Sequence, residues 1–153
     1  MSAVLKPVIE LRSMTEAGLP AVMAIENAIY AFPWTPGNFR DSLAAGYDCS
    51  AYMRNGELIG YAVVMRTSDE AHLLNLSIAA GCQRQGHGGQ LLQRLCEVAR
   101  GQGARQMLLE VRPSNAAGLR LYERHAFQRI GLRREYYPAQ AGREDALVLG
   151  LRL

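Results

Sequence analysis

Lysine is almost missing from this chain: Lys6 is the only one, and arginine carries the rest of the positive charge. The excess is just +3, with no Lys/Arg run or tail, so charge alone makes no case for a nucleic-acid partner. Arginine in place of lysine suits fixed, bidentate contacts to phosphate or carboxylate, and it follows equally well from genome composition. Cysteine is scarce too. Cys49, Cys82 and Cys96 are odd in number, show no CxxC spacing, and form no metal-ligand pattern with His72, His87 and His125. They read as reduced thiols, buried or half-buried, with no metal expected. No apolar run approaches the roughly 20 residues that span a bilayer, and Met1 to Pro7 lacks the basic-then-apolar order of an export signal. A cytoplasmic protein without a membrane partner is expected. There are no repeats, low-complexity stretches or interdomain linkers. With 153 residues, 49% hydrophobic and 20% charged, the composition is globular and one domain, 1–153, is expected.

What is present is organised around Ala71 to Arg100. An apolar strand, His72 to Ile78, runs into a glycine-punctuated loop, Gly81 to Gly88. An amphipathic helix follows, with Leu91, Leu92, Leu95, Cys96 and Ala99 on one face. Two glycines free the backbone where the helix begins. Such a junction offers unpaired N–H groups and the positive end of the helix dipole to an anion, and Arg84 adds a cation. A phosphate-bearing ligand is expected there.

Val8 to Met14 reads as a first strand, and Thr15 caps a helix bearing Leu19, Val22, Ile25 and Ile29. Ala31-Phe32-Pro33-Trp34 breaks it; Thr35-Pro36 opens another with Phe39 and Leu43 inward. Trp34, the single tryptophan, is either a plug on the core or a wall of a substrate cleft. Ser50 to Arg54, Asn55-Gly56 and Leu58 to Met65 form a hairpin. After Gly101-Gln102-Gly103 comes a short apolar strand, Gln106 to Val111. The strand–helix–strand spacing implies parallel strands and a right-handed crossover. A helix to about His125 and two closing strands, Gln128 to Tyr136 and Asp145 to Leu153, complete the chain.

Two residues suggest chemistry. Glu110 is acidic in an otherwise apolar strand; it is partly wet and poised as a base, or it is a strand-edge charge or the partner of Arg112. Tyr122 shares a helical face with Asn115 and Leu119 at about 100° per residue. That face lines a ligand, or the tyrosine packs on the core.

Arg84-Gln85-Gly86-His87-Gly88, between a strand and a helix, resembles the acyl-CoA pyrophosphate loop of the Gcn5-related N-acetyltransferases (GNAT). Further motifs are Ala31-Phe32-Pro33-Trp34, Leu109-Glu110-Val111-Arg112, Ser114-Asn115-Ala116-Ala117, Leu121-Tyr122-Glu123, Arg134-Glu135-Tyr136-Tyr137-Pro138 and Gly142-Arg143-Glu144-Asp145-Ala146. Together, from about Thr15 to Leu149, they resemble the subfamily of bacterial ribosomal-protein-alanine N-acetyltransferases. The resemblance implies an α/β (α+β) fold: a mixed, mostly antiparallel sheet of about six to seven strands, its central parallel pair splayed, flanked by about four helices. It implies acetyl-CoA as co-substrate, with Arg84, Gln85, Gly86, His87, Gly88 and Gly89 on the pyrophosphate. Backbone groups of Leu76, Ser77 and Ile78 would hold the thioester arm and polarise its carbonyl, and Asn115 would contact the pantetheine arm. Glu110 becomes the general base and Tyr122 the general acid, in direct transfer within a ternary complex. Phe32, Trp34, Tyr136 and Tyr137 would line the peptide slot.

The implied acceptor is the N-terminal alanine of a small-subunit ribosomal protein, with the enzyme a monomer or weak dimer and no direct nucleic-acid contact. Acetylation of lysine side chains or of a small amine, and a non-catalytic acyl-CoA sensor, are the rivals. The chain also departs from the family pattern. Cys82 and His87 stand in unusual places. Ala79-Ala80-Gly81 is expected to loosen the strand exit, Gly118 to let a ligand approach the helix, and Ala126 to be strained if its φ is positive.

Overall fold

A computed structural model describes residues 5–153. The absence of an export signal was read partly from residues 1–4, which lie outside the described residues. Seven strands form one mixed sheet, and four α-helices accompany it. In chain order the elements are β1 (Ile9–Ser13), α1 (Leu19–Ile29), α2 (Pro36–Ala44), β2 (Asp48–Arg54), β3 (Glu57–Arg66), β4 (Glu70–Ile78) and α3 (His87–Gly101). β5 (Gln106–Val111), α4 (Ala116–Arg124), β6 (Gln128–Pro138) and β7 (Arg143–Arg152) complete them. The strand order is β1-β2-β3-β4-β5-β7-β6. The chain forms two compact units: residues 1–63 with 75–85, and residues 64–74 with 86–153.

In the first unit, Thr15 accepts a hydrogen bond from the Gly18 N–H as expected, though the turn it caps is 3-10 and α1 starts only at Leu19. Thr35 and Asn38 form a reciprocal capping box on α2, with Pro36 at its first position. Met14, Leu19, Val22, Phe39, Cys49, Tyr61 and Val63 make the core, and Trp34 packs partly buried against it. The Asn55-Gly56 turn has φ of +50° and +79°, the twist that matches a two-residue hairpin. At Gly60 a side chain is impossible, because a Cβ would come within 2.7 Å of Ile78 Cδ1 and 2.8 Å of the Ser77 carbonyl oxygen. At the strand exit the Ala79 N–H donates to the Ile59 carbonyl at 2.8 Å, and Ala80–Cys82 closes a 3-10 turn behind it.

In the second unit, β4 and β5 pair in parallel from Glu70↔Gln106 to Leu73↔Leu109. The ladder stops there, while β4 runs on to Ile78 and β5 to Val111. The helix between them buries Leu91, Leu92, Leu95, Cys96 and Ala99, the face its periodicity predicts. Helix α4 ends in a Schellman motif: Ala126 N–H reaches the Glu123 carbonyl, and Phe127 N–H reaches that of Tyr122, each at 3.0 Å. Ala126 sits there at φ +68°. The Gly118 expectation is corrected, because the space a Cβ would need is filled by Asn115, whose Oδ1 caps the helix by accepting from Gly118 N–H at 2.9 Å.

β6 extends further than its hydrophobic pattern indicates, to Pro138, and it does so irregularly. A register shift against β7 falls between Arg133 and Tyr137. Glu135 takes φ +50° there; Asp145 Oδ1 accepts its N–H, and Arg143 donates to the Glu135 and Tyr136 carbonyls at 2.8 and 2.9 Å. Beside this hairpin, Glu144 accepts from the hydroxyl and the backbone N–H of Ser114, both at 2.9 Å, and pairs with Arg112 at 3.3 Å. The Ser114 hydroxyl first, then its N–H and Arg112, hold the Glu144 carboxyl below the ordinary range.

Replacing Ala126 by glycine is expected to stabilise the fold by about 1 kcal/mol, by relieving the left-handed strain. Thermal unfolding should register this as a rise of about 2–4 °C. A second expectation concerns acid. Because the folded value of Glu144 is depressed, its contribution is complete above the unfolded value near pH 4.3 and is lost as pH falls through the lower folded one. Glu144→Gln should therefore destabilise the protein at neutral pH and flatten the decline of stability below about pH 4.5, measured as unfolding midpoint against pH.

Candidate active site

In the first unit the carbonyls of β4 are already engaged. The Leu76 carbonyl accepts from the Tyr30 hydroxyl at 3.3 Å, and the Ile78 carbonyl accepts from Gln83 Nε2 at 3.0 Å. The Ser77 hydroxyl lies 2.6 Å from that of Tyr30. Tyr30 titrates only at about 12: burial raises it, the Ser77 hydrogen bond moderates the rise, and the charge of Glu26 adds to it. Leu76 to Ile78 thus form a braced segment beyond the β5 ladder. Gln85 donates to the Gly81 carbonyl at 3.3 Å, and Arg84 is exposed with φ +61°, two further constraints on the loop. Phe32 is exposed, and the Trp34 ring lies 5.0 Å from that of Phe39. Both halves of the Trp34 alternative are therefore open to it: it packs on the core and still presents a partly exposed side.

In the second unit Gly86 precedes α3 at φ +85°, a conformation that favours glycine. The bond from Gln90 N–H to the Gly86 carbonyl closes the first turn, so the N–H groups of His87, Gly88 and Gly89 precede the intrahelical ladder. No acidic residue lies in that turn. Backbone donors, helix dipole and lack of a competing carboxylate fit a diphosphate. Among the described residues no group of three or more His, Cys, Asp or Glu could hold a metal ion.

Glu110 is partly wet, with 27% of its side chain exposed. Its ion-pair partner is Arg133, at 3.1 Å, and Arg112 turns instead to Glu144 and to the Pro138 carbonyl. Tyr136 hydrogen-bonds to Glu110, and the Arg133 guanidinium lies 5.2 Å from the Tyr136 ring. Tyr137 stands edge-on to Tyr136 at 4.9 Å, with Arg112 at 4.4 Å from its own ring. Burial, then the Glu110 hydrogen bond and charge, push Tyr136 up; burial and then Glu110 push Tyr137 to about 12. Both phenols are accordingly proton-bearing neighbours of the carboxylate at neutral pH. Tyr122 is buried, its ring 5.6 Å from that of Phe127. The Schellman motif at the end of α4 supplies this contact and fixes the tyrosine. Asn115, expected on a ligand, spends its Oδ1 on the helix cap.

Sequence reading missed two participants. Arg133 gave no signal, since only the irregular strand brings it to Glu110. Glu26 did: it falls four residues after Val22 and seven after Leu19, on the buried face of α1. It is the only acidic or basic side chain buried among the described residues.

The sequence matches the Acetyltransferase (GNAT) family over residues 19–127. It is 37% identical to the ribosomal protein bS18-alanine N-acetyltransferase of Escherichia coli strain K12 over 141 residues, covering 92% of this chain and 95% of that protein. It is 31% identical to the protein of the same description from Haemophilus ducreyi, covering 94% and 99%. The crystal structure of the Escherichia coli ribosomal-protein-S18-alanine N-acetyltransferase superposes with a TM-score of 0.88 at 36% identity, over 95% of this chain and 94% of that one. With a mixed seven-stranded sheet, a short parallel ladder and a glycine-led helix following its fourth strand, the chain belongs to the acetyltransferase (GNAT) family.

Proposed function

We propose that this protein is an acetyl-CoA-dependent N-terminal acetyltransferase whose acceptor is the N-terminal alanine of a small-subunit ribosomal protein, bS18 being the one named for its relatives. The reading takes 1–153 as one catalytic domain, a monomer or weak dimer, working in the cytoplasm; the family match runs unbroken through both compact units. The observation that carries it is Glu110, a half-wet carboxylate in an apolar strand beside two tyrosines that keep their protons.

An α-amine has a reference pKa of about 7.7–8.0 and is mostly protonated at neutral pH. Glu110 takes that proton, through a water, and leaves the nitrogen lone pair free to attack. Acetyl-CoA, when bound, supplies the activated acyl carbon. Leu76, Ser77 and Ile78 orient the thioester arm by backbone hydrogen bonds, and Arg84 to Gly89 hold the diphosphate. Asn115, its Oδ1 committed to the cap, has its Nδ2 for the pantetheine arm. Tyr122 returns a proton to the departing sulfur. Phe32, Trp34, Tyr136 and Tyr137 are read as slot residues on the strength of the resemblance.

Mass spectrometry of Ala-starting peptides incubated with acetyl-CoA should show one acetyl group on the α-amine. In a panel with free ε-amines and blocked α-amines, acetylation should disappear. Glu110→Gln should lower kcat about 10²–10⁴-fold, and Tyr122→Phe should lower kcat with the acetyl-CoA KM nearly unchanged. A preference for ε-amines would overturn the acceptor assignment; full activity in both variants would overturn the mechanism.

A further inference from the structure

Glu26 occupies the last turn of α1, where the helix dipole disfavours a carboxylate, and it is 1% exposed. Among the described residues no arginine or lysine forms an ion pair with it. Its partners all donate: Trp34 N–H to Oε2 at 2.8 Å, and Tyr61 hydroxyl and Asn75 Nδ2 to Oε1 at 2.8 and 3.1 Å. The pattern is that of an acceptor-only group. It also orders what lies behind it. Asn75, having turned its amide nitrogen to Glu26, presents Oδ1 to the Ser77 hydroxyl at 2.7 Å. Ser77 Oγ also lies within hydrogen-bond distance of the Tyr30 hydroxyl, at 2.6 Å. The donors of Ser77 and Asn75 therefore point down a line that ends on one carboxylate.

One oxygen of Glu26 thus fixes the bend after α1, through a backbone N–H. The other fixes the Asn75–Ser77 segment of β4. We infer that Glu26 is a positioning residue that clamps the Phe32–Trp34 bend to the thioester-arm segment and so sets the affinity for the acceptor peptide. This rests on the proposed roles of Phe32, Trp34 and Leu76 to Ile78, and adds to them the group that registers one against the other. A cluster with no more than a stability role would hold side chains alone; here a backbone N–H of the bend and the Asn75 side chain of β4 share a single carboxylate.

Glu26→Gln isolates the effect. The amide oxygen can keep Tyr61 and Asn75, which places Nε2 against the Trp34 N–H, donor facing donor. The acceptor-peptide KM should rise about tenfold, the acetyl-CoA KM should stay within twofold, and the shape of the kcat–pH profile should not change. Tyr61→Phe removes one donor from Oε1 and leaves Trp34 held, so it should lower the unfolding temperature with the acceptor KM within twofold. Equal acceptor KM values in these two variants, or loss of the acid limb of the pH profile in Glu26→Gln, would overturn the inference. Amide exchange provides an arm that needs no turnover: the Trp34 N–H should be protected in the wild-type protein, and exchange at the rate of an unfolded chain would equally overturn it. A wild-type protein that acetylates no α-amine would instead sink the functional reading, and the exchange result would still decide the clamp.

Discussion

Four parallel residue pairs, Glu70 to Leu73 against Gln106 to Leu109, govern the architecture. Parallel neighbours cannot be joined by a tight turn, so a crossover is obligatory, and here it is α3. A helix entered from the end of a strand must begin with N–H groups that have no intrahelical acceptor. The chain places Gly86 at that entrance and keeps acidic side chains out of the first turn. The proposed anion site is therefore a consequence of the connection. The brevity of the ladder matters as much, for it lets β4 continue to Ile78 and β5 to Glu110 and Val111 outside that pairing.

Three carboxylates show how environment divides one chemistry into three tasks. Glu26, sealed and ringed by donors, orders its neighbours. Glu144 is held by Ser114 and Arg112 and anchors a hairpin. Glu110 has one cation, Arg133, beside it and 27% of its side chain exposed, and its tyrosine neighbours are pushed toward the protonated form. A base must exchange protons with its surroundings. Of the three, Glu110 is the one to which the proposed mechanism gives that task.

The tail motifs acquire a physical meaning in the same way. Arg143 and Asp145 hold the irregular turn of β6 at Glu135, and Tyr136 and Tyr137, which follow that turn, lie beside Glu110. A strand irregularity beside a reactive group is a means of directing side chains that regular pleating would send elsewhere.

Much was legible before any coordinates. Period and punctuation place every helix and strand to within a few residues, because Pro36 fixes its own φ while Asn55-Gly56 and Gly86 accept the positive φ that a tight turn or a helix entrance needs. The glycine loop announces an anion site, and Glu110 announces itself by being acidic in an apolar strand. The strain at Ala126 was foreseeable through the resemblance, which puts alanine at a helix end where the family often has glycine. What tertiary structure decided is partnership. Arg133 rather than Arg112 reaches Glu110, Asn115 fills the space beside Gly118, and Glu26 collects three donors from 8, 35 and 49 residues away. Local patterns report how a residue's own backbone bends and which face it shows. They carry no record of which distant donor or cation the folded chain brings to meet it, since that depends on strand register and on a single irregular turn.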